Sequence, residues 1–305
     1  MAKPILSICI PTYNRQNKLQ SLLQSIKSGY EKEIEVVIVD DGSEDGTADY
    51  CNKLKCNFNL VLIVQKNQGR SSALCNSIKK ARGEFIIIMD SDDRFVVGAL
   101  DTLTEYLVKY ESILSEERIC GLVFNCVDQK QRIIGKDFKF EGISNFLTYR
   151  ADESVIGDKK EVVKSHLLKS VLYDPFNGEP RMPTSILWNR LARNHDVITV
   201  RSPLAIKEYN EGGMSSKTRE LRINSIRSTI LYYEEHLLDF GVQYKSMNFA
   251  VRVAANFIRY RFHSKSFNLN ILSRLTILQL LIMFLALPIG FLLFVNDIFY
   301  VYKNP

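Results

Sequence analysis

The chain lacks the two common phosphate-binding signatures of nucleotide-binding folds. The first apolar stretch, residues 6–10, is not followed by G-x-G-x-x-G, so the dinucleotide fingerprint is absent. The phosphate loop G-x-x-x-x-G-K-[ST] is also absent from all 305 residues. If the chain binds a nucleotide, its phosphates must therefore be held by another positive group, and a metal ion is the obvious candidate.

Cysteine is present without any spacing that would indicate zinc. The six cysteines, at positions 9, 51, 56, 75, 120 and 126, fit no zinc motif, and several lie in predicted strands or helices. This pattern predicts small apolar core residues in a reducing compartment, not a disulfide framework. Residues 1–4 lead directly into a strand without a signal peptide, so we expect the catalytic part to stay in the cytoplasm.

Acidic residues are missing from one long segment. Residues 240–296 contain six Lys and Arg and no Asp or Glu, which accounts for the whole net charge of +6. Within this segment, residues 275–296 carry no charge, and a bilayer core needs about 20 apolar residues in a helix. The basic segment therefore indicates an anionic membrane surface as partner, not nucleic acid, with the preceding domain on the cytoplasmic face of the cell membrane. Pro288 and Gly290 leave three alternatives open: a spanning helix, a hairpin in one leaflet, or a buried helix of a soluble domain.

The first part of the chain alternates strands and helices. Apolar stretches at residues 6–10, 34–39, 60–64 and 85–89 predict buried strands, and each is followed by a stretch with helical periodicity. Such alternation predicts right-handed βαβ units and an α/β fold with a mostly parallel central sheet. Beyond a further strand at 121–127 the pattern is less regular, with predicted helices at 160–172 and from 184, a flexible loop at 211–216, and a helical region at 217–262.

Polar motifs follow the predicted strands where they end. These are Pro11-Thr12-Tyr13, Asp40-Asp41, Gly69-Arg70 and Asp90-Ser91-Asp92. The carboxyl ends of parallel strands meet at one edge of a sheet, where ligands bind in open α/β folds. Two carboxylates spaced two residues apart, as in the last motif, point to the same side in extended geometry and suit a hard divalent cation. The alternative is a polar turn that caps the next helix.

These residues resemble family 2 glycosyltransferases over the first two hundred positions. The resemblance is carried by Ile10-Pro11-Thr12-Tyr13-Asn14-Arg15, Val39-Asp40-Asp41-Gly42-Ser43, Asn67-Gln68-Gly69 and Met89-Asp90-Ser91-Asp92-Asp93. Three later stretches are similar to the branch that builds bacterial surface polysaccharides: Gly157-Asp158-Lys159, Leu187-Trp188-Asn189-Arg190 and Gly212-Gly213-Met214-Ser215. The resemblance implies the nucleotide-sugar fold called GT-A.

The resemblance also implies roles for the matching residues. Pro11, Tyr13, Asp40 and Asp41 would contact the nucleoside, with Asp41 nearest the base. Gly69 would allow close approach of the backbone, and Asp90 with Ser91 would face the ribose or sugar. Asp92 would bind Mg²⁺ or Mn²⁺ that bridges the diphosphate and stabilises the leaving group.

One position departs from the family pattern. An inverting enzyme needs a carboxylate that takes the proton of the acceptor hydroxyl, and the family carries it just before the helix with the Trp. Here that position is Thr184, and the nearest carboxylate is Glu179. We therefore expect Glu179 to be the base, with Asp174 or loss of this catalytic step as alternatives. Leu74 and Cys75 also replace the Arg-Asn that commonly follows the Gly69 motif.

The sequence thus predicts a metal-dependent inverting glycosyltransferase in surface polysaccharide synthesis. It would move a sugar from a nucleoside diphosphate sugar, by resemblance a UDP-sugar, to a lipid-linked glycan. The domains would be 1–216, a catalytic domain with a nucleotide-binding half at 1–127 and an acceptor half at 128–216, and 217–305, a helical basic region with an apolar membrane-associated tail. The alternative is a nucleotide-sugar-binding partner of a polysaccharide assembly complex without catalysis.

Overall fold

The computed structural model describes residues 3–26, 33–208, 218–264 and 269–303. The predicted loop at 211–216, with the Gly212-Gly213-Met214-Ser215 motif, lies outside these ranges. The strands are β1 Leu6–Thr12, β2 Ile34–Asp40, β3 Asn59–Val64, β4 Phe85–Ile88, β5 Arg94–Phe95, β6 Ile119–Val127, β7 Gly142–Ser144, β8 Lys159–Lys164 and β9 Asp196–Ile206. The helices are α1 Gln16–Gln24, α2 Thr47–Lys53, α3 Arg70–Lys80, α4 Ala99–Lys109, α5 Glu111–Leu114, α6 Ser165–Ser170, α7 Ser185–Ala192, α8 Thr218–Asn224, α9 Ile226–Asp239, α10 Met247–Ser264 and α11 Ile277–Lys303.

All nine strands belong to one sheet. Its order is β3-β2-β1-β4-β8-β6-β9-β5, and β7 pairs with β9. The first four strands in this order run parallel, as the βαβ pattern predicts. The other half is mixed, because β8 runs antiparallel to both β4 and β6 while β6 and β9 are parallel. The α/β prediction is confirmed, and the parallel arrangement applies to the first half of the sheet.

The predicted helix at 160–172 is wrong. Lys159–Lys164 forms strand β8, and only Ser165–Ser170 is helical. The charged residues of β8 concealed the strand in the sequence, since they are buried here. The ammonium groups of Lys159, Lys160 and Lys164 find polar partners inside the protein, among them backbone carbonyl groups, while their side-chain stems cover apolar surface. Tertiary pairing between β4 and β6 thus overrides the local pattern.

Helices cover both faces of the sheet. Helices α1 and α4 bury Leu19, Leu22, Leu100 and Leu103 against one face, and α3 buries Leu74, Cys75 and Ile78 against the other. The second core continues through α6 and α7 into α9 and α10. All six cysteines are free, and five of them are buried, as the sequence predicts. Two packed layers thus hold the carboxyl edge of the sheet rigid and open to solvent.

Helix α11 runs through Pro288 without a break, so the described residues contain no apolar hairpin. It packs along α10, and the two helices are in close contact at Gly290. A Cβ there would lie 2.7 Å from the carbonyl oxygen of Ala255, so only glycine fits. Near the other end, Asp297 is fully buried; it forms an ion pair with Arg259 of α10 and lies within hydrogen-bond distance of His263.

The opposite face of α11 is apolar and exposed. Ile277–Tyr300 is the one described helix long and apolar enough to cross a membrane, and 22% of its most apolar window is buried. Length and composition alone are weak grounds for a membrane span, because core helices of soluble proteins share them. A core helix is mostly buried, however, and this one is not. The exposed face carries large side chains: Ile277, Leu278, Leu280, Leu281, Phe284, Leu285, Leu287, Ile289, Phe291, Leu292, Ile298, Phe299 and Tyr300.

Candidate active site

A polar cleft of about 440 Å³ lies at the carboxyl edge of the sheet. Its walls come from the ends of β1, β2 and β4, from the start of α3, and from the segment after β9. The lining residues are Pro11, Thr12, Tyr13, Arg15, Asp41, Asn67, Gly69, Arg70, Ala73, Asp90, Ser91, Asp92, Asp93, Asp158, Pro180, Lys207 and Glu208. A groove of about 420 Å³ at the opposite edge is lined mainly by apolar side chains and lacks this convergence of polar groups. The four polar strand ends therefore meet at one site, as the topology predicts.

Pro11 and Tyr13 form the β1 side of the cleft. Pro11 is buried in the strand, where it pairs with Val39 of β2. The Tyr13 side chain is exposed, so its ring is available to a ligand. Between them, the buried Thr12 hydroxyl has no hydrogen-bond partner among the described residues. An orphaned hydroxyl on a cleft wall is a polar contact that a bound ligand can satisfy.

The paired aspartates after β2 have different positions. Asp40 is fully buried and does not line the cleft. One of its oxygens accepts from the Ser43 amide at 3.0 Å, which fixes the turn, and the other has no partner among the described residues. Helix α2 is not capped by Asp40, because Asp45 accepts from the first amide of that helix, that of Thr47, at 3.1 Å.

Asp41 does line the cleft, and its carboxylate organises the next loop. It accepts from Gln65 Nε2 at 2.7 Å, from the Gln68 amide at 2.9 Å and from the Gly69 amide at 2.8 Å. Gly69 has φ +89°, and a Cβ there would lie 3.4 Å from the Pro180 carbonyl oxygen. The backbone conformation thus favours glycine at this position, and the segment at Pro180 passes within van der Waals contact of it.

The acidic motif after β4 is held by cations. Asp90 pairs with Arg70, whose Nε donates at 3.0 Å, and with Lys207 at 3.3 Å. Asp92 pairs with Arg15 at 2.7 Å. Burial opposes the charge on Asp90, but Arg70 and Lys207 outweigh it and hold the pKa of this carboxyl well below its usual range. Asp90 is therefore ionised at neutral pH, and side chains on three other segments balance the charges of the motif.

Asp93 belongs to the supporting structure beneath the cleft. It pairs with Lys160 of β8 at 2.8 Å, and both side chains are almost fully buried. Lys207 lies 3.3 Å from Asp93 and 3.7 Å from Asp158, in addition to its contact with Asp90. Although burial disfavours an ammonium group, these three carboxylates raise the pKa of Lys207. Lys207 is thus a permanently charged centre that ties three acidic residues together.

The donor set fits a metal that takes most of its ligands from a substrate. The described residues contain no group of three or more His, Cys, Asp and Glu arranged to hold a metal by themselves. Mg²⁺ is commonly bound by one or two carboxylates and completed by phosphate oxygens and water. Asp92 lines the cleft with 20% of its side chain exposed, so its oxygens are accessible to such an ion.

Glu179 is not among the residues brought together at the cleft. Its carboxylate accepts from the amides of Arg227 at 2.8 Å and Ser228 at 2.9 Å, in the first turn of helix α9. The Arg227 guanidinium also contacts it, and only 7% of its side chain is exposed. A carboxylate at a helix amino terminus is stabilised there by the unpaired amides and the helix dipole. This arrangement favours a structural role for Glu179 over the expected role as base.

The other residues considered for the catalytic base lie at different distances from the cleft. Asp174 is 97% exposed, pairs loosely with Lys79 and lies outside the cleft lining. The hydroxyl of Thr184 accepts from Arg70 Nη1 at 3.2 Å, so position 184 does lie beside the Asp90–Arg70 pair. Trp188 is buried and stacks on Phe146 with ring centroids 5.6 Å apart.

Sequence reasoning gave no role to the cations of the site. Arg15 and Arg70 were visible inside the matching motifs, but nothing in the sequence paired them with Asp92 and Asp90. Lys207 follows β9, a strand that the sequence analysis did not identify. Its one signal was a β-branched, alternating stretch after Asp196.

The fold and part of the sequence are similar to those of known glycosyltransferases. Residues 7–134, less than half of the chain, match the family model for glycosyl transferase family 2. The chain is 30% identical over 143 residues to the GalNAc(5)-diNAcBac-PP-undecaprenol beta-1,3-glucosyltransferase of Campylobacter jejuni, covering 46% of this chain and 44% of the relative. It is 34% identical over 127 residues to the abequosyltransferase RfbV of Salmonella typhimurium, covering 39% and 38%. The chain thus matches less than half the length of these relatives.

Solved structures share the fold beyond the matched sequence. S. aureus TarS 1–349 in complex with UDP-GlcNAc superposes with a TM-score of 0.60 at 19% identity, over 92% of this chain and 79% of that one. The mannosyltransferase PcManGT from Pyrobaculum calidifontis, in complex with GDP-Man and Mn²⁺, gives a TM-score of 0.57 at 15% identity, over 97% and 88%. At these identities the likeness concerns the fold, which confirms the GT-A expectation.

Proposed function

We propose that this chain is a metal-dependent inverting glycosyltransferase that moves a sugar from a UDP-sugar to a lipid-linked glycan in surface polysaccharide synthesis. The observation that carries the proposal is the convergence of Tyr13, Asp41, Asp90 and Asp92 on one cleft of a family 2 domain. The name of the C. jejuni relative includes a diphosphate-linked undecaprenol, which supports a lipid-linked acceptor for this chain.

The cleft offers a separate place for each part of the donor. Tyr13 and Pro11 would pack on the nucleoside, with Asp41 near the base, and Asp90 and Ser91 would face the ribose and sugar. Asp92 would hold Mg²⁺ or Mn²⁺, which supplies positive charge to the diphosphate as it leaves. Asp40 would act indirectly, since its hydrogen bond to Ser43 shapes the turn behind Asp41.

A different carboxylate suits the acceptor hydroxyl better than Glu179. Among the described carboxylates that line the cleft, Asp158 has the most exposed side chain, at 46%. Lys207 lies 3.7 Å away and forms an ion pair with it. An accessible carboxylate on the cleft is what proton abstraction requires. We therefore assign the base to Asp158 and expect Asp158→Asn to lower kcat with little change in UDP binding.

Helix α11 would bring the enzyme to its acceptor by lying in one leaflet of the membrane. A helix that spans the bilayer without partner helices is surrounded by lipid on every face over the bilayer thickness. Here one face of α11 is held against the protein from Gln279, which bonds to the end of α9, to Asp297, which pairs with Arg259. The exposed apolar face opposite suits burial at the boundary between head groups and acyl chains, and the basic residues of 240–296 suit anionic lipids on the cytoplasmic face.

The test of catalysis is UDP release from UDP-sugars in the presence of Mn²⁺ and a lipid-linked acceptor. A metal ion at a leaving diphosphate contributes several kcal/mol, so Asp92→Ala should lower kcat about a hundredfold or more. Asp174→Ala is the matched control, since it removes an exposed carboxylate outside the cleft, and should have no effect. Equal activity of the Asp92 variant and wild type, or activity that survives chelation of divalent ions, would rule out the proposed metal site.

The test of membrane binding is flotation with vesicles of neutral and anionic lipid. Leu292→Glu and Phe284→Glu together should abolish binding, because each large apolar side chain contributes about 1.5–3 kcal/mol when buried. Val97→Glu places the same charge at an 89% exposed valine far from α11 and should leave binding intact. Binding that is unaffected by the α11 pair would show that another surface meets the lipid.

A second candidate is a nucleotide-sugar-binding partner without catalysis. It is favoured by Thr184, which places a hydroxyl where the family carries an acid, and by the engagement of Glu179 at helix α9. This candidate predicts normal UDP-sugar binding, no transfer to any lipid-linked acceptor, and no effect of Asp158→Asn. Transfer by wild type that Asp158→Asn abolishes would exclude it.

A further inference from the structure

Arg181 is a cation at the edge of the cleft that forms no ion pair with a carboxylate of the described residues. It directly follows Pro180, which lines the cleft, and it is half-buried. No carboxylate among the described residues forms an ion pair with its guanidinium; its backbone amide donates to Ser225 Oγ at 3.1 Å. The other cations of the cleft differ in this respect, because Arg15, Arg70 and Lys207 are each paired with an aspartate.

The surroundings of Arg181 add positive charge instead of cancelling it. The guanidinium groups of Arg70 and Arg222 act on the charge of Arg181 more strongly than the carboxylates of Asp90 and Asp158 do. Burial, together with these two cations, lowers the pKa of Arg181. Arg222 has no carboxylate partner among the described residues either; it lies over the Tyr233 ring, 5.8 Å from its centroid. A half-buried cation whose charged surroundings are mainly positive suits an anionic ligand.

The same group of residues connects the cleft to helix α11. Arg222 belongs to α8, and Arg219 of that helix lies 3.5 Å from Asp297 and over the Tyr300 ring at 4.5 Å. A path therefore leads from the cleft through Arg181 and α8 to the apolar helix. A lipid-linked substrate whose chain lies along α11 would bring its phosphate groups to this path. The donor diphosphate is expected at Asp92, on the side of the cleft formed by the first half of the chain.

We propose that Arg181, supported by Arg222, binds a phosphate group of the acceptor lipid between the donor cleft and helix α11. The assignment rests on the proposed function for its acceptor. It makes Arg181 a binding residue for the acceptor, and not one for the donor. Charge-assisted hydrogen bonds from a planar guanidinium suit a phosphate well.

The experiment titrates the full chain with farnesyl diphosphate, with farnesol as its neutral counterpart, and with UDP in the presence of Mn²⁺. Arg181→Gln should weaken binding of farnesyl diphosphate about tenfold or more and leave UDP binding within about twofold. Arg181→Lys should bind farnesyl diphosphate better than Arg181→Gln and worse than wild type, because it keeps the positive charge but lacks the paired N–H donors of the guanidinium. Arg252→Gln, which removes an exposed arginine of α10, is the control and should change neither.

Thermal unfolding separates this role from a structural one. Removing a cation that lies among like charges should leave the melting temperature unchanged or raise it, whereas a structural arginine would destabilise the fold when removed. Unchanged binding of farnesyl diphosphate, an equal loss for farnesol, or a parallel loss for UDP would each overturn the assignment. If wild type binds farnesyl diphosphate through Arg181 but never binds UDP, the proposed function fails and the phosphate site stands.

Discussion

The buried pair of Asp93 and Lys160 gives the sharpest test of how the acidic motif is held. The two side chains are 3% and 5% exposed and lie 2.8 Å apart. Lys160→Met keeps the apolar stem and removes the ammonium, so the Asp93 carboxylate stays buried with one partner fewer. Breaking a buried pair in this way costs about 3–5 kcal/mol. Because Lys207 remains 3.3 Å from Asp93, we expect the lower end, about 3 kcal/mol.

Chemical denaturation and thermal melting measure this loss. A cost of about 3 kcal/mol corresponds to a fall in Tm on the order of 10 °C for a chain of this size. Lys164→Met is the matched control in the same strand, since its ammonium donates only to a backbone carbonyl, that of Glu116 at 2.8 Å. It should cost about 1 kcal/mol.

The double variant Lys160→Met, Asp93→Leu tests whether the loss comes from the unpaired carboxylate. Replacing both members of a buried pair by apolar groups is often close to neutral, so the double variant should recover much of the stability lost in the single one. Two results would refute the reasoning: a Lys160 variant no less stable than the Lys164 control, or a double variant less stable than Lys160→Met alone.

Three further outcomes follow from contacts in the structure. Glu179→Gln should lower the free energy of unfolding by about 1–2 kcal/mol, because it removes a negative charge from the amino terminus of helix α9, and kcat should be nearly unchanged. A large loss of kcat without a loss of stability would show that Glu179 takes part in catalysis. Gly290→Leu should force α11 away from α10 and expose the ion pair of Asp297 with Arg259. Proteases should then cleave α11 faster in the variant than in the wild type. Equal cleavage rates would contradict this packing. Asp90 has its folded pKa below its ordinary value of 3.8, so its contribution to stability is present above that value and is lost as pH falls through the folded pKa. Asp90→Asn should therefore flatten the fall in unfolding free energy below about pH 5, and an unchanged pH profile would argue against its ion pairs.

The positions of the strand ends were predictable from the sequence because they depend on local patterns. Continuous apolar stretches followed by polar motifs are enough to place Tyr13, Asp41, Asp90 and Asp92 at one edge of a parallel sheet, and the structure brings them to one cleft. The charge pattern likewise located the apolar tail, since a long segment without acidic residues is a feature of composition.

Other features depend on contacts between distant segments, and the sequence could not supply them. Lys207 meets Asp90 only because β9 pairs with β6, and β8 becomes a strand only because β4 and β6 leave a place between them. The same holds for Glu179, which the tertiary structure places at the first turn of α9 instead of at the cleft.

The sequence by itself determined the class of fold, the edge that carries the chemistry and the acidic motif at its centre. The tertiary structure decided which cation balances each carboxylate, which acid of the cleft is most exposed, and which face of α11 remains uncovered. The physical reason is that apolar periodicity acts between neighbours in the chain. Charge pairing and burial instead act between groups that only the folded chain brings within a few ångströms.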